Sequence, residues 1–308
     1  MAVPDYQSLM LPLLKIAADR NEHNLSEVTE TLAEQLNLSE EDRKELLPSG
    51  KQRRFDNRIH WARTYLAKSL LLSTPGRAKF CITDRGLQVL KNNPTRIDVK
   101  FLRQFPEFIE FNSLRSSSDS KINGDTTQEI VEKTNQTPQE ILESGYLSLR
   151  QELAQEILEH IKNSTPKFFE NLVVDLIVAM GYGGSRKDAG QAVGQAGDGG
   201  IDGIIKEDKL GLDAIYLQAK RWDSTVGRPV VQGFAGALIG KKARKGILVT
   251  TSNFSQQAID YANGIDNLKI ILIDGALLVQ LMMDHDVGVT EESRYVIKKI
   301  DLDYFSEE

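Results

Sequence analysis

The chain has 308 residues, a formal net charge of −6, 40% hydrophobic residues and one cysteine. That length predicts about two domains with cores of their own, and a single cysteine excludes any disulfide within the chain. No apolar run approaches the length of a membrane span. The start Met1-Ala2-Val3-Pro4-Asp5 lacks the basic-then-apolar pattern of a signal peptide, so a cytoplasmic protein is expected. Cys81, in Lys79-Phe80-Cys81-Ile82, reads as a packing residue.

Residues 1–95 read as a first domain that is mostly helical and ends in a hairpin. Ser26 is a candidate cap for a helix running to Asn37, and Ser39 for another near Glu40–Leu47. Asp56 is the expected cap of Asn57–Leu71, where Ile59, Ala62, Leu66 and Leu70 form a helical stripe with Arg58, Arg63 and Lys68 away from it. Leu70–Thr74, a turn at Pro75-Gly76-Arg77 and Lys79–Thr83 read as a two-stranded wing. Thr83 then opens a helix. Three helices and a basic wing make a winged helix, a fold whose helix before the wing enters the DNA major groove. Charge agrees: Arg43 to Arg103 holds 15 Lys or Arg against four acids, and phosphate binding responds to the local field and not to the chain total. Trp61 reads either as core packing against the wing or as part of an aromatic pocket.

Residues 96–145 are the expected connector. Phe101, Phe105, Phe108 and Phe111 are placed to anchor its first part on the first domain. The polar stretch from Ser116 to Pro138 reads as a flexible linker. An amphipathic helix at Leu147–Ile161 leads into a second domain, 146–308. Thr165-Pro166 caps and starts a helix whose stripe includes Phe169, Leu172, Val173 and Leu176, with Gly181 at its end. Strands are expected near Ile201–Lys206, Ala214–Lys220, Gly246–Thr251 and Lys269–Ile273. Helices are expected at Pro229–Gly240, Phe254–Asn263 and Ala276–Met283, and a further short strand near Gly183–Arg186. The order implies an α/β domain, a mixed sheet flanked by helices.

The chemistry concentrates in Gly197-Asp198-Gly199-Gly200-Ile201-Asp202-Gly203 and in Tyr216-Leu217-Gln218-Ala219-Lys220. A strand sends alternate side chains to one face, so Gln218 and Lys220 point together. If the two runs pair, Asp202 joins them. An acid, a neutral oxygen ligand and an ammonium at one point suit metal-assisted attack on a phosphodiester: a hard cation such as Mg²⁺ takes the oxygens, and Lys offsets phosphoryl charge. The Gly-Asp-Gly-Gly turn alone is only a tight loop, and an isolated Gln-x-Lys carries nothing; their order and flanking helices carry the reading. The four histidines show no metal-ligand spacing. There is no P-loop, so an ATP-driven translocase is not expected.

These residues resemble the Mrr-type branch of the PD-(D/E)xK nucleases, which carries G-D-G-G-I-D followed by Q-x-K in place of E-x-K. The layout of residues 1–95 is similar to the N-terminal domain of that branch. The resemblance implies a restriction-endonuclease-like catalytic domain in which Asp202 and Gln218 hold the metal and Lys220 positions or activates water. A neutral amide binds metal more weakly than a carboxylate, so a further acid is implied, with Glu170 of Phe169-Glu170 and Asp198 as the candidates. In the first domain the resemblance implies DNA contacts from Arg54, Asn57, Arg58 and Arg63, with Arg77 and Lys79 touching backbone from the wing. It implies a Mg²⁺-dependent, modification-dependent (type IV) restriction endonuclease acting on methylated double-stranded DNA. One site per chain implies a homodimer or higher homo-oligomer for cutting both strands. The alternatives are a structure-selective repair nuclease on the same core, and a DNA-binding transcriptional regulator whose nuclease-like domain is inert.

Overall fold

A computed structural model describes residues 2–76, 78–116, 135–183, 200–207, 213–298, 300, 301 and 304. The chain divides into two compact units, Met1–Ser148 and Leu149–Lys298.

The first unit opens with α1 (Tyr6–Ile16), where the Asp5 carboxylate accepts the amides of Gln7 and Ser8. Strand β1 (His23–Asn24) leads into α2 (Leu25–Gln35), and its cap is Asn24, not the expected Ser26. Ser39 does cap α3 (Glu40–Lys44), in a reciprocal box with Asp42. Helix α4 (Arg54–Lys68) starts before the expected Asp56 cap: Arg53 holds the cap position with no side-chain bond, and Asp56 sits in the first turn, where an acid favours the helix dipole. Strands β2 (Leu72–Gly76) and β3 (Lys79–Ile82) pair antiparallel, and β1 adds to the other edge of β3, giving the order β1-β3-β2.

After α5 (Asp84–Lys91), the short α6 (Val99–Leu102) and α7 (Pro106–Ser116) belong to this unit's core. Ile97, Leu102 and Phe108 are fully buried, and Phe101, Phe105 and Phe111 pack against the same cluster. Tyr65 of α4 centres it, edge-on to Tyr6 and Phe108, each 5.5 Å away, and to Trp61 at 5.7 Å. Trp61 is thus a packing residue. Arg85 forks onto Glu107 at 2.8 and 2.9 Å, tying α7 to α5.

Helix α8 (Pro138–Asn163) is one continuous helix that starts nine residues before the expected Leu147. In the second unit its Ile157 and Ile161 are buried with α9 (Pro166–Ala179). Strands β4 (Gly203–Lys206) and β5 (Ala214–Lys220) pair antiparallel. Strand β6 (Lys245–Thr250) runs parallel to β5, and β7 (Lys269–Ile273) parallel to β6, giving a mixed sheet in the order β4-β5-β6-β7. Helices α10 (Arg228–Gly240) and α11 (Gln256–Asn263) form one core with Leu248 and Ile270. Helix α9 and α12 (Gly275–Asp284) form the other with Ile205, Leu217 and Val249. The α/β layering expected from the element order is what the chain adopts, and it delivers β4 and β5 side by side. The strand expected near Gly183–Arg186 lies outside the described residues.

Candidate active site

The site forms where the chain enters β4. The Asp202 amide donates to the Leu217 carbonyl at 2.8 Å, and its Oδ2 accepts the Ala219 amide at 2.7 Å. Ala219 lies between Gln218 and Lys220, so this one bond pins the Asp202 carboxylate to the strand segment that carries both. Leu217 and Ala219 pack into the core shared with α9, which leaves Gln218 and Lys220 on the opposite side of the strand. Gln218 is buried, and its Nε2 donates to the Gly200 carbonyl. Gly200 has φ +87°, and a Cβ there would lie 2.5 Å from Gln218 Nε2. The glycine is required by its conformation, and a Cβ there would push the Gln218 amide aside.

Glu170 stands on the second turn of α9, three residues after Lys167, which pairs with it at 3.3 Å. Burial pushes the Asp202 carboxyl above its ordinary 3.8, against the Ala219 amide bond; the Glu170 charge pushes it the same way, while Lys220 and Lys167 oppose it. Four charged groups therefore share one field, two acids and two ammoniums. Of the expected site residues, Glu170 and Lys220 lie near enough to Asp202 for their charges to act on it, and Asp202 is bonded to the strand segment that carries Gln218; Asp198 lies outside the described residues. Lys167 was not singled out by sequence, although its i, i+3 spacing to Glu170 on one helix was the available signal.

The donor set fits a hard divalent cation. Asp202 is partly desolvated and feels the Glu170 charge, one of its oxygens is committed to Ala219, and the Gln218 amide has a neutral oxygen to offer. Among the described residues no group of three His, Cys, Asp or Glu side chains is placed to hold a metal ion.

In the first unit the expected DNA contacts divide. Arg63 is half-buried, its Nε has no hydrogen-bond partner, and burial lowers its pKa. Lys79 pairs with Glu22 at 3.0 Å in an exposed contact. Arg77 lies outside the described residues. Asn57 and Arg58, also expected as DNA contacts, have partners within the chain. Asn57 is buried, and Arg58 donates to Glu140 at 2.9 Å and to the Val3 and Pro4 carbonyls at 2.6 and 3.1 Å. Arg54 pairs with Glu45 at 2.6 Å and approaches Glu140 at 3.7 Å. The reason is that the start of α8 packs on this face of α4, a contact across more than 80 positions.

A mixed sheet between helices, with an acid at the strand entrance and Gln-x-Lys on the neighbouring strand, defines the restriction-endonuclease-like class of nuclease folds. The family model described as Mrr_cat, restriction endonuclease, matches residues 161–282, and the Mrr N-terminal domain model matches residues 6–92. The chain is 36% identical to the Type IV methyl-directed restriction enzyme EcoKMrr of Escherichia coli (strain K12) over 320 aligned positions, covering 99% of this chain and all of that protein. It belongs to the Mrr family of restriction endonucleases. The solved structure of MspJI restriction endonuclease in complex with a 27-mer oligonucleotide overlaps partially, at 23% identity and a TM-score of 0.33, over 44% of this chain and 31% of that one.

Proposed function

We propose that this protein is a Mg²⁺-dependent endonuclease that cuts methylated double-stranded DNA. The observation that carries the chemistry is the Asp202–Ala219 bond, which fixes an acid beside Gln218 and Lys220 on adjacent strands. Asp202, Gln218 and Glu170 would hold the cation, with Asp198 the further candidate. When bound, it supplies Lewis-acid stabilisation of phosphoryl charge. Lys220 orients the attacking water and offsets the negative charge that grows on the phosphoryl oxygens. The Gly200 carbonyl holds the Gln218 amide in place, and Lys167 offsets the Glu170 charge. The water oxygen bonds to phosphorus as the P–O3′ bond breaks, and the proton that water loses is balanced by the one the 3′ oxygen takes up, leaving a 3′ hydroxyl and a 5′ phosphate.

Methylation dependence rests on the full-length similarity to a methyl-directed relative. The order of α1, α2, α4 and the β2–β3 hairpin supports a winged-helix reader in which α4 faces DNA and Lys79 touches backbone. One site per chain calls for two copies on a duplex, so a homodimer or larger homo-oligomer acts. No helix among the described residues is long and apolar enough to cross a membrane; action on DNA supports a cytoplasmic location. The test uses matched plasmids methylated at adenine, methylated at cytosine, or unmethylated, each incubated with Mg²⁺. Cutting confined to one methylated plasmid is expected. Equal cutting of all three removes methyl dependence, and DNA binding without any cutting points instead to a regulator with an inert nuclease-like domain.

A further inference from the structure

The segment Asn135–Glu143 makes a dense set of bonds to α4 and to the loop before it, all within the first unit. Glu140 is only 5% exposed. Its Oε1 accepts Arg58 Nε at 2.9 Å and lies 3.7 Å from Arg54 Nε, while its Oε2 accepts the Thr137 amide at 2.8 Å. Thr137, fully buried, donates its hydroxyl to Asn57 Oδ1 at 2.7 Å, and Gln139 Oε1 accepts Asn57 Nδ2 at 2.7 Å. Glu143 takes both the amide and the hydroxyl of Ser49, at 2.9 and 3.0 Å.

Every donor held here has a chemistry that DNA also satisfies. A guanidinium and backbone or hydroxyl donors suit phosphate oxygens, and an Asn amide presents the donor–acceptor pair that reads a base edge. The two strongest acceptors supplied by the segment are carboxylates, the side-chain groups that most resemble phosphate in charge and bonding. They sit on the most basic stretch of the chain, where Lys51 and Arg53 remain exposed. Glu140 also closes the capping box that starts α8, accepting the Thr137 amide while its own amide donates to Thr137 Oγ1 at 3.1 Å; Glu143 has no part in that box.

We propose that Asn135–Glu143 is a built-in competitor of DNA, a latch that occupies the reading face of α4 until a polyanion displaces it. This rests on the reading above that α4 faces DNA. The exchange is physically balanced. Removing Glu140 alone would leave the half-buried Arg58 without its carboxylate, which is costly, whereas an incoming phosphate takes the place of the carboxylate it displaces. The latch therefore opens to an anion that matches the carboxylate and stays shut to water.

The test uses the full chain without divalent cations, so that binding is separated from cutting, and a short fluorescein-labelled methylated duplex. The double variant Glu140→Gln/Glu143→Gln keeps the shape, removes both charges and turns one acceptor oxygen of each carboxylate into an N–H donor. The latch predicts that it binds the duplex about tenfold more tightly, within the usual range of coupling between competing sites. In the wild type, adding duplex should speed hydrogen exchange at the amides of Thr137 and Ser49, which the two carboxylates hold. Unchanged or weaker binding by the double variant overturns the latch, as does slowed or unchanged exchange at those amides once duplex is bound. Arg53→Ala and Lys79→Ala separate this failure from the wider one. If they weaken binding, α4 and the hairpin face DNA and only the latch is lost. If they leave binding unchanged, the DNA-facing reading falls and the latch with it.

Discussion

Two glycines three residues apart should respond to the same substitution in opposite directions. At Gly200, φ is +87° and an added Cβ would lie 2.5 Å from Gln218 Nε2. Alanine there carries backbone strain of about 1–3 kcal/mol, and pushing Gln218 off the Gly200 carbonyl loses a further ~1 kcal/mol. For a unit of this size roughly 2–4 kcal/mol lowers Tm by about 4–16 °C. At Gly203 a Cβ would meet Val174 at 3.4 Å and Leu217 at 3.6 and 3.7 Å, ordinary contacts, with φ outside the left-handed region. Gly203→Ala should therefore be neutral or raise stability by about 0.4–1 kcal/mol through the unfolded chain. Calorimetry of both variants reads the stability. Single-turnover plasmid cleavage reads the site, where displacing Gln218 should slow cutting by up to about 10²-fold in Gly200→Ala only. Equal Tm shifts for the two variants, or wild-type cleavage by Gly200→Ala, would refute the assigned Gly200–Gln218 geometry.

Asp202→Asn should raise the Tm of the metal-free protein at neutral pH. Burial holds the Asp202 carboxyl above 3.8, so its ionisation costs more in the folded state, and stability falls as pH rises through that window; the advantage of the variant should vanish in acid, below 3.8, as melting at both pH values would reveal. Gln218→Glu loses the donor to Gly200 and sets a carboxylate against that carbonyl, so it should melt lower without Mg²⁺ and gain more than the wild type on Mg²⁺ titration. Arg85 holds the Glu107 carboxyl at about 2, so the pair's contribution is complete above 4.5 and is lost as pH falls toward 2. Glu107→Gln should flatten that acid limb, followed by Trp61 fluorescence in a Trp222→Phe background.

The candidate active site was legible in sequence because its determinants are local. The strand period of two places Gln218 and Lys220 together, and the glycines around Asp202 mark the tight entrance to β4. Position 269–273 was read as a strand and is one, and Thr165 caps α9 as its Thr-Pro spacing demands. Residues whose partners are distant were not legible. Asn57 and Arg58 are basic or polar positions on a helix before a hairpin, and nothing near them announces Thr137, Gln139 and Glu140. The same separation hid the start of α8, where Gln139 and Glu140 find their partners on α4, 82 positions away. The aromatic run from Phe101 to Phe111 carried enough apolar surface to be placed against the first unit, where it lies.

The most direct measurement of the central claim is Mg²⁺-dependent cleavage of a supercoiled methylated plasmid by the wild type and by Lys220→Ala, with DNA binding and Tm measured on the same samples. The account predicts linear product with 5′-phosphate ends from the wild type, and from Lys220→Ala a folded protein that binds DNA and does not cut. Undiminished cutting by Lys220→Ala would contradict it.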